Sequence, residues 1–189
     1  MKKMFLLCLI FISVSISAQD NILVSKFQIL LDYHYNLGLV ENGDLAKITR
    51  SDFKMYGNSI HLSGLYNLNP KIALGVGIGL DRYENHGFNT LPIYLTAHYK
   101  PLYKLPSGYI FSNLGYGLDT SDFIPGALFD IGIGYKKMFR KHFGLNFQLG
   151  YNLKQQKGNL GYIDEKQQIV HDKINRYRHS LSFGIGLIF

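Results

Sequence analysis

From about residue 22 to the final phenylalanine, apolar and polar residues alternate with a period of two, broken by polar or charged stretches. Successive side chains of a β-strand point to opposite sides, so this period marks strands whose two faces meet different surroundings. The last segment shows it plainly: Phe183, Ile185, Leu187 and Phe189 share one face, and Ser182, Gly184 and Gly186 the other. Large apolar groups on one side and small or polar groups on the other suit a wall between lipid and a narrow lumen.

The same reading divides the rest of the chain. Phe27, Ile29, Leu31, Tyr33 and Tyr35 oppose Lys26, Gln28, Asp32 and His34, and Ile60, Leu62, Tyr66 and Leu68 oppose Ser59, His61, Ser63 and Asn67. Asn69-Pro70 is a tight turn, because proline fixes φ and asparagine tolerates turn geometry. Leu74, Val76, Ile78 and Leu80 then face away from Gly75, Gly77, Gly79 and Asp81, and Leu91, Ile93, Leu95, Ala97 and Tyr99 away from Tyr94, Thr96 and His98. Strands over 110–118 and 127–135 follow, then Phe143, Leu145, Phe147, Leu149, Tyr151 and Leu153 opposite Asn146, Gln148, Gly150 and Asn152, and a last strand over 177–189. An even count near eight lets first and last strands pair, and closure is required because an open edge in hydrocarbon leaves backbone groups unpaired. The expected fold is all-β, an eight-stranded antiparallel up-and-down transmembrane β-barrel.

Connections near 69–71, 101–107 and 137–141 are short, those near 40–54 and 154–173 are long, and those at 84–90 and 119–126 are intermediate. Short turns face the periplasm and longer loops the outside. Lys71, Lys100, Lys104, Lys136, Lys137, Arg140 and Lys141 fall at the short turns with no acidic residue among them. They are expected to contact anionic phospholipid headgroups at the periplasmic rim. The outer loops mix signs, as in Glu41, Asp44, Lys47, Arg50 and Asp52. Tyrosines near strand ends, such as Tyr33, Tyr66, Tyr116 and Tyr177, read as interfacial belts.

The first 19 residues read as an export signal: Met1-Lys2-Lys3 is basic, Met4 to Val14 apolar, and Ser15-Ile16-Ser17-Ala18-Gln19 a small-residue cleavage zone. The barrel domain is then 20–189, suited to one domain. Cys8 sits inside the apolar segment after bulky Leu6-Leu7, which argues against lipidation, and its loss leaves no cysteine for disulfides or thiolate metal sites. The net charge of +7 becomes +5 without Lys2 and Lys3. After the signal no run reaches the ~20 apolar residues of a spanning helix.

With its x-Gly-Ile-Gly strands (Val76 to Gly79, Ile131 to Gly134, Phe183 to Gly186), Leu91-Pro92-Ile93-Tyr94-Leu95 and terminal Phe189, the chain resembles the small Gram-negative outer-membrane barrels that include OmpX and the OmpA transmembrane domain, and porin-like relatives. The resemblance implies a location in the outer membrane. It also implies that the last strand, with Phe183, Ile185, Leu187 and Phe189, is the signal read by the barrel-assembly machinery.

Candidate chemistry is sparse. Gly75-Val76-Gly77-Ile78-Gly79 lacks the turn and helix N-terminus of a phosphate loop, and alternation runs straight through it. Lipid A deacylases place His and Ser two positions apart on the lipid-facing wall, but here Leu181 occupies that place after His179, and Ser180 faces the other way. His179 reads instead as an interfacial residue. His34, His61 and His98 lie on different strands without metal-ligand spacing, and the basic residues form no stripe with stacking aromatics for nucleic acid. A lumen cluster is more plausible: pairing of first and last strands would bring Asp32 and His34 near Arg176 and Arg178, with Asp81 and Asp130 on other walls. It reads as an ion-paired plug, with proton-linked gating or catalysis as the alternative. No cofactor is expected. Expected partners are outer-membrane lipids, the assembly machinery and an extracellular protein or surface ligand. The leading function is structural, adhesive or partner-binding through the outer loops, with a small pore as alternative and a lipid-modifying enzyme third.

Overall fold

The computed structural model describes residues 25–44, 47–84, 87–102, 104–163 and 169–189; the signal segment 1–19 lies outside them. Alternation yields ten strands: β1 (Phe27–Gly43), β2 (Lys47–Thr49), β3 (Tyr56–Asn67), β4 (Ile72–Tyr83), β5 (Phe88–Thr90), β6 (Pro92–Tyr99), β7 (Gly108–Gly117), β8 (Gly126–Arg140), β9 (Phe143–Ile163) and β10 (Ile169–Ile188). Eight are long, and β2 and β5 are three-residue additions in outer connections. Each long strand pairs antiparallel with its neighbour in sequence, and β10 returns to β1, so the sheet closes on itself. Ile29 N–H donates to Phe189 O at 3.0 Å and Phe189 N–H to Ile29 O at 2.9 Å, extending the closure to the last residue.

The two faces separate as the period requires. Leu74, Val76, Ile78 and Leu80 of β4 are exposed on the outside, as are Ile93 and Leu95 of β6. Tyr94, Thr96 and His98 are buried inside. At the periplasmic end of the lumen Leu30, Leu65, Ala73 and Ile188 pack together, with Met138 against them, as an apolar floor.

The inward glycines have a specific use. A Cβ on Gly77 would collide with the Tyr94 ring, and one on Gly134 would collide with the Tyr109 ring. The x-Gly-Ile-Gly strands therefore seat tyrosine rings against bare backbone, which lets a narrow barrel hold large side chains.

Two outer stretches expected as long loops are ladder instead. β1 runs on to Gly43 and pairs with β2, so much of 40–54 is a small hairpin. β9 and β10 pair from Gly144↔Ile188 up to Ile163↔Ile169, so 154–173 is mostly an extension of the last two strands. β1 ends opposite Arg176 and β8 begins at Gly126, so from Gly158 upward β9 and β10 have only each other. About six residue pairs at ~3.3 Å per residue carry this ribbon roughly 20 Å past the other strands. Polar residues do not preclude strand pairing where the backbone ladder continues, so the charges in 154–173 do not mark a loop.

Candidate functional site

Among the described residues, the interior is where titratable side chains of many strands meet, and they fill it in layers. Beside the apolar floor, Lys136 Nζ donates across the lumen to Gln28 Oε1 at 3.0 Å. Tyr109 OH donates to Asn146 Oδ1 at 2.5 Å, Asn146 Nδ2 donates to Asp32 Oδ1 at 2.7 Å, and Gln148 Nε2 donates to Tyr109 OH at 2.9 Å. His98 stacks on Tyr109 with ring centroids 4.5 Å apart.

The middle layer is tighter. Asp81, 3% exposed, accepts from Lys154 Nζ at 2.5 Å and Thr90 Oγ1 at 2.7 Å and lies 2.9 Å from His61 Nε2. Asp130 accepts from Asn113 Nδ2 at 3.2 Å and from Asn152 Nδ2. His34 and His61 bring their ring centroids within 5.1 Å. Beside them lies a cavity of about 10 Å³, lined by His34, His61, Asn113, Asp130 and Asn152 among others. That is space for a single water centre.

Toward the outside, Arg178 is fully buried with its guanidinium 4.9 Å over the Tyr83 ring and 3.9 Å from Glu41 Oε2. Arg176 approaches Glu41 Oε1 at 3.8 Å and lies 5.5 Å over the Phe88 ring. Among the described residues the inward carboxylates Asp32, Asp81, Asp130 and Glu41 thus share the lumen with the cations Lys136, Lys154, Arg176 and Arg178, and with half-buried Lys100 at its end. Both signs together are what burial demands, since an unpaired charge in a low-dielectric interior costs several kcal/mol.

The expected cluster is only partly assembled. Asp32 pairs opposite Gly186 and His34 opposite Gly184, whereas Arg178 stands opposite Glu41 and Arg176 opposite Gly43. The arginines therefore serve Glu41, not Asp32 and His34, because the β1–β10 ladder sets Asp32 level with Gly186, eight residues from Arg178, and the bulge between Gly38 and Val40 turns Glu41 inward. Asp81 and Asp130 do face the lumen, but their partners are Lys154, Thr90, Asn113 and Asn152.

Lys136 is a second correction. It is 6% exposed and inside the lumen, so it makes no lipid contact. Lys71, Lys100, Lys104, Lys137, Arg140 and Lys141 remain at the periplasmic end, with Lys104, Arg140 and Lys141 exposed. Lys100 is half-buried, and that burial holds its amine below the ordinary lysine range. Phe183, Ile185 and Phe189 are exposed on the outer wall of the last strand with Leu187 beside them. Phe189 lies 6.4 Å from Phe143, which lies 6.0 Å from Phe139.

Outward-facing residues form a wide apolar belt, from Phe27 and Tyr66 at one end to Tyr35, Tyr116 and Tyr177 at the other. A sheet that closes on itself, with an apolar belt between tyrosine girdles, is built to sit in a bilayer. The protein is a transmembrane β-barrel. Above the belt the outer wall turns polar. Tyr151 OH hydrogen-bonds His179 Nδ1, and Asn42 Nδ2 lies 3.4 Å from His179 Nε2. In the outer connection after β2, Asp52 accepts from the Thr49 amide at 2.8 Å and hydroxyl at 2.7 Å, which hold its carboxyl below the usual range.

No protein-family model matches the chain, and no curated protein matches it. Among solved structures it is similar to Neisserial surface protein A (NspA), at 18% identity over 86% of this chain and 96% of that one, with a TM-score of 0.46. It is similar to the outer membrane protein AlkL in lipid bilayers, at 15% identity over 91% and 94% of the two chains, with a TM-score of 0.44. A third similarity is to the KdgM porin, at 13% identity over 83% and 97%, with a TM-score of 0.35.

Proposed function

We propose that this is a non-conducting barrel of the OmpX-like type that acts through its outer surface, presenting the β9–β10 ribbon and neighbouring loops to an extracellular protein or surface ligand. The observation that carries this reading is the filled lumen. Its charges are matched, its rings are seated on glycine, an apolar floor stops one end, and the cavity at its centre has room for one water. A solute path would require that packing to be undone. The ribbon supports the other half: two strands that pair only with each other beyond the barrel rim add nothing to its closure, so barrel stability does not explain their extension.

Planar-bilayer recordings of the refolded protein test the closed lumen. The expected result is no sustained current at neutral pH; defined conductance steps would replace this reading with the pore. Cross-linking in intact outer membranes, with and without residues 158–174, tests presentation. A partner captured equally well without the ribbon would place recognition elsewhere.

A further inference from the structure

We propose that a file of water molecules runs down the inner wall of β9 and β10, from the outer mouth of the lumen to its central cavity. The centre of the plug is then wetted from the outer side, and the file is blind, ending where the lower packing begins.

The register lays out the path. Along β10 the inward residues are, in order, Arg176, Arg178, Ser180 and Ser182, and across the ladder from them stand Gln156, Lys154, Asn152 and Gly150. At ~3.3 Å per residue this column is about 20 Å long. A cavity of about 50 Å³ lies at its head, lined by Glu41, Ile48, Ile174 and Arg176 among others. The central cavity lies at its foot, where Gly150, Asn152 and Ser182 are among the lining residues.

Between the two cavities, buried polar atoms have no hydrogen-bond partner in the protein. They are Gln156 Nε2 and Oε1, Arg178 Nε and Nη1, Ser180 Oγ and Asn152 Oδ1, with Arg176 Nη1 at the head and Tyr83 OH on the ring that Arg178 covers. Asn152 Nδ2 already donates to Asp130, so its oxygen is what remains for water. The arginine contacts with Glu41, at 3.8 and 3.9 Å, are longer than hydrogen bonds, as where water shares the contact. Buried donors and acceptors find partners in protein or in ordered water, and donors and acceptors interleaved along a column give each water the several partners it needs.

Below the central cavity the pattern changes. Tyr109, Asn146, Gln148 and Asp32 hydrogen-bond one another, and Leu30, Leu65, Ala73 and Ile188 close the periplasmic end with apolar side chains. Among the described residues there, His98 Nδ1 is the one fully buried side-chain atom without a partner. The file therefore opens to the outside and not to the periplasm.

Water-edited solid-state NMR of the barrel in lipid bilayers tests this. Ser180 and Asn146 are both 0% exposed, so burial alone gives them equal access to water. Magnetisation from water should instead reach Ser180 and Asn152 several-fold faster than Asn146 and Tyr109. S180V, which fills the column and removes its hydroxyl, should slow transfer to Asn152 while leaving transfer to Gln156, nearer the mouth, unchanged. Heat-modifiable gel mobility confirms that the variant is folded, and the comparison within the unaltered protein decides the matter if it is not. Transfer to Ser180 and Asn152 no faster than to Asn146, or transfer to Asn152 that is unaffected in folded S180V, would overturn the proposal.

Discussion

Replacing Asp81 by asparagine should be among the most damaging single changes in the barrel. The carboxylate is held by Lys154, His61 and Thr90 at once, in the middle of the lumen. The substituted amide would keep the shape and one acceptor but leave the Lys154 ammonium, 3% exposed, without a counter-charge. Breaking a buried pair from one side costs about 3–5 kcal/mol, whereas removing both charges together is often nearly neutral. Asp81→Asn alone and Lys154→Met alone should therefore each destabilise by ~3 kcal/mol or more, and the double variant by much less than their sum. With a urea slope of about 2 kcal/mol/M, each single change should lower the unfolding midpoint by roughly 1.5 M. The chain has no tryptophan, so unfolding in detergent micelles is best followed by circular dichroism and gel mobility. Singles within ~1 kcal/mol of the unaltered protein, or a double no better than the sum, would show that the lumen network is not a charge-matched plug.

Four further outcomes follow from the same geometry. Deleting Phe189, or changing it to Ser, should leave export intact but lower the yield of heat-modifiable barrel in membranes, since it removes both the terminal backbone pair with Ile29 and the ring beside Phe143; normal yield would count against an assembly role. Changing Lys137, Arg140 and Lys141 to Gln should slow folding into anionic vesicles more than into zwitterionic ones, by up to ~1 kcal/mol of attraction each. Lys136→Gln should instead affect both vesicle types alike, because its amine serves Gln28 within the lumen; a selective effect in anionic vesicles would refute that placement. Gly134→Ala should cost about 1–3 kcal/mol in urea unfolding, because the Tyr109 ring it displaces is fixed by Asn146 and Gln148, and a silent change would mean the ring moves freely.

Which face each residue takes was legible because the two sides of every strand meet different solvents. β4 is the plainest case, with Leu74, Val76, Ile78 and Leu80 outside and glycines or Asp81 inside. The same rule already placed Lys136 inward, on the parity opposite Ile131, Ile133 and Tyr135; its charge beside a short turn obscured this. Lys154 likewise continues the inward series of Asn152, but counting it with a loop hid the partner of Asp81. Height is another matter. Alternation fixes a face but not which residues of strands far apart in sequence come level, and that depended on the β1–β10 register, which sets Asp32 beside Gly186, eight residues from Arg178. The exchange of Asp32 for Glu41 as partner of Arg178 follows from that register and from the bulge that turns Glu41 inward.

The apolar floor also spans the seam where the cylinder closes. Leu30 of β1 and Ile188 of β10 are direct cross-strand partners, and Leu65 and Ala73 pack against them from the next walls. The periplasmic end of the seam is therefore clasped from inside by a dry cluster. Its outer end is joined by the looser charge contacts of Glu41 with Arg176 and Arg178, beside the bulge. A cylinder fastened in this way behaves like a zipper with its stop at the bottom: thermal opening of the β1–β10 seam begins at the outer rim and runs downward. Amide protons of Val40 and Glu41 should then exchange well before those of Leu30 and Leu31 on the same strand.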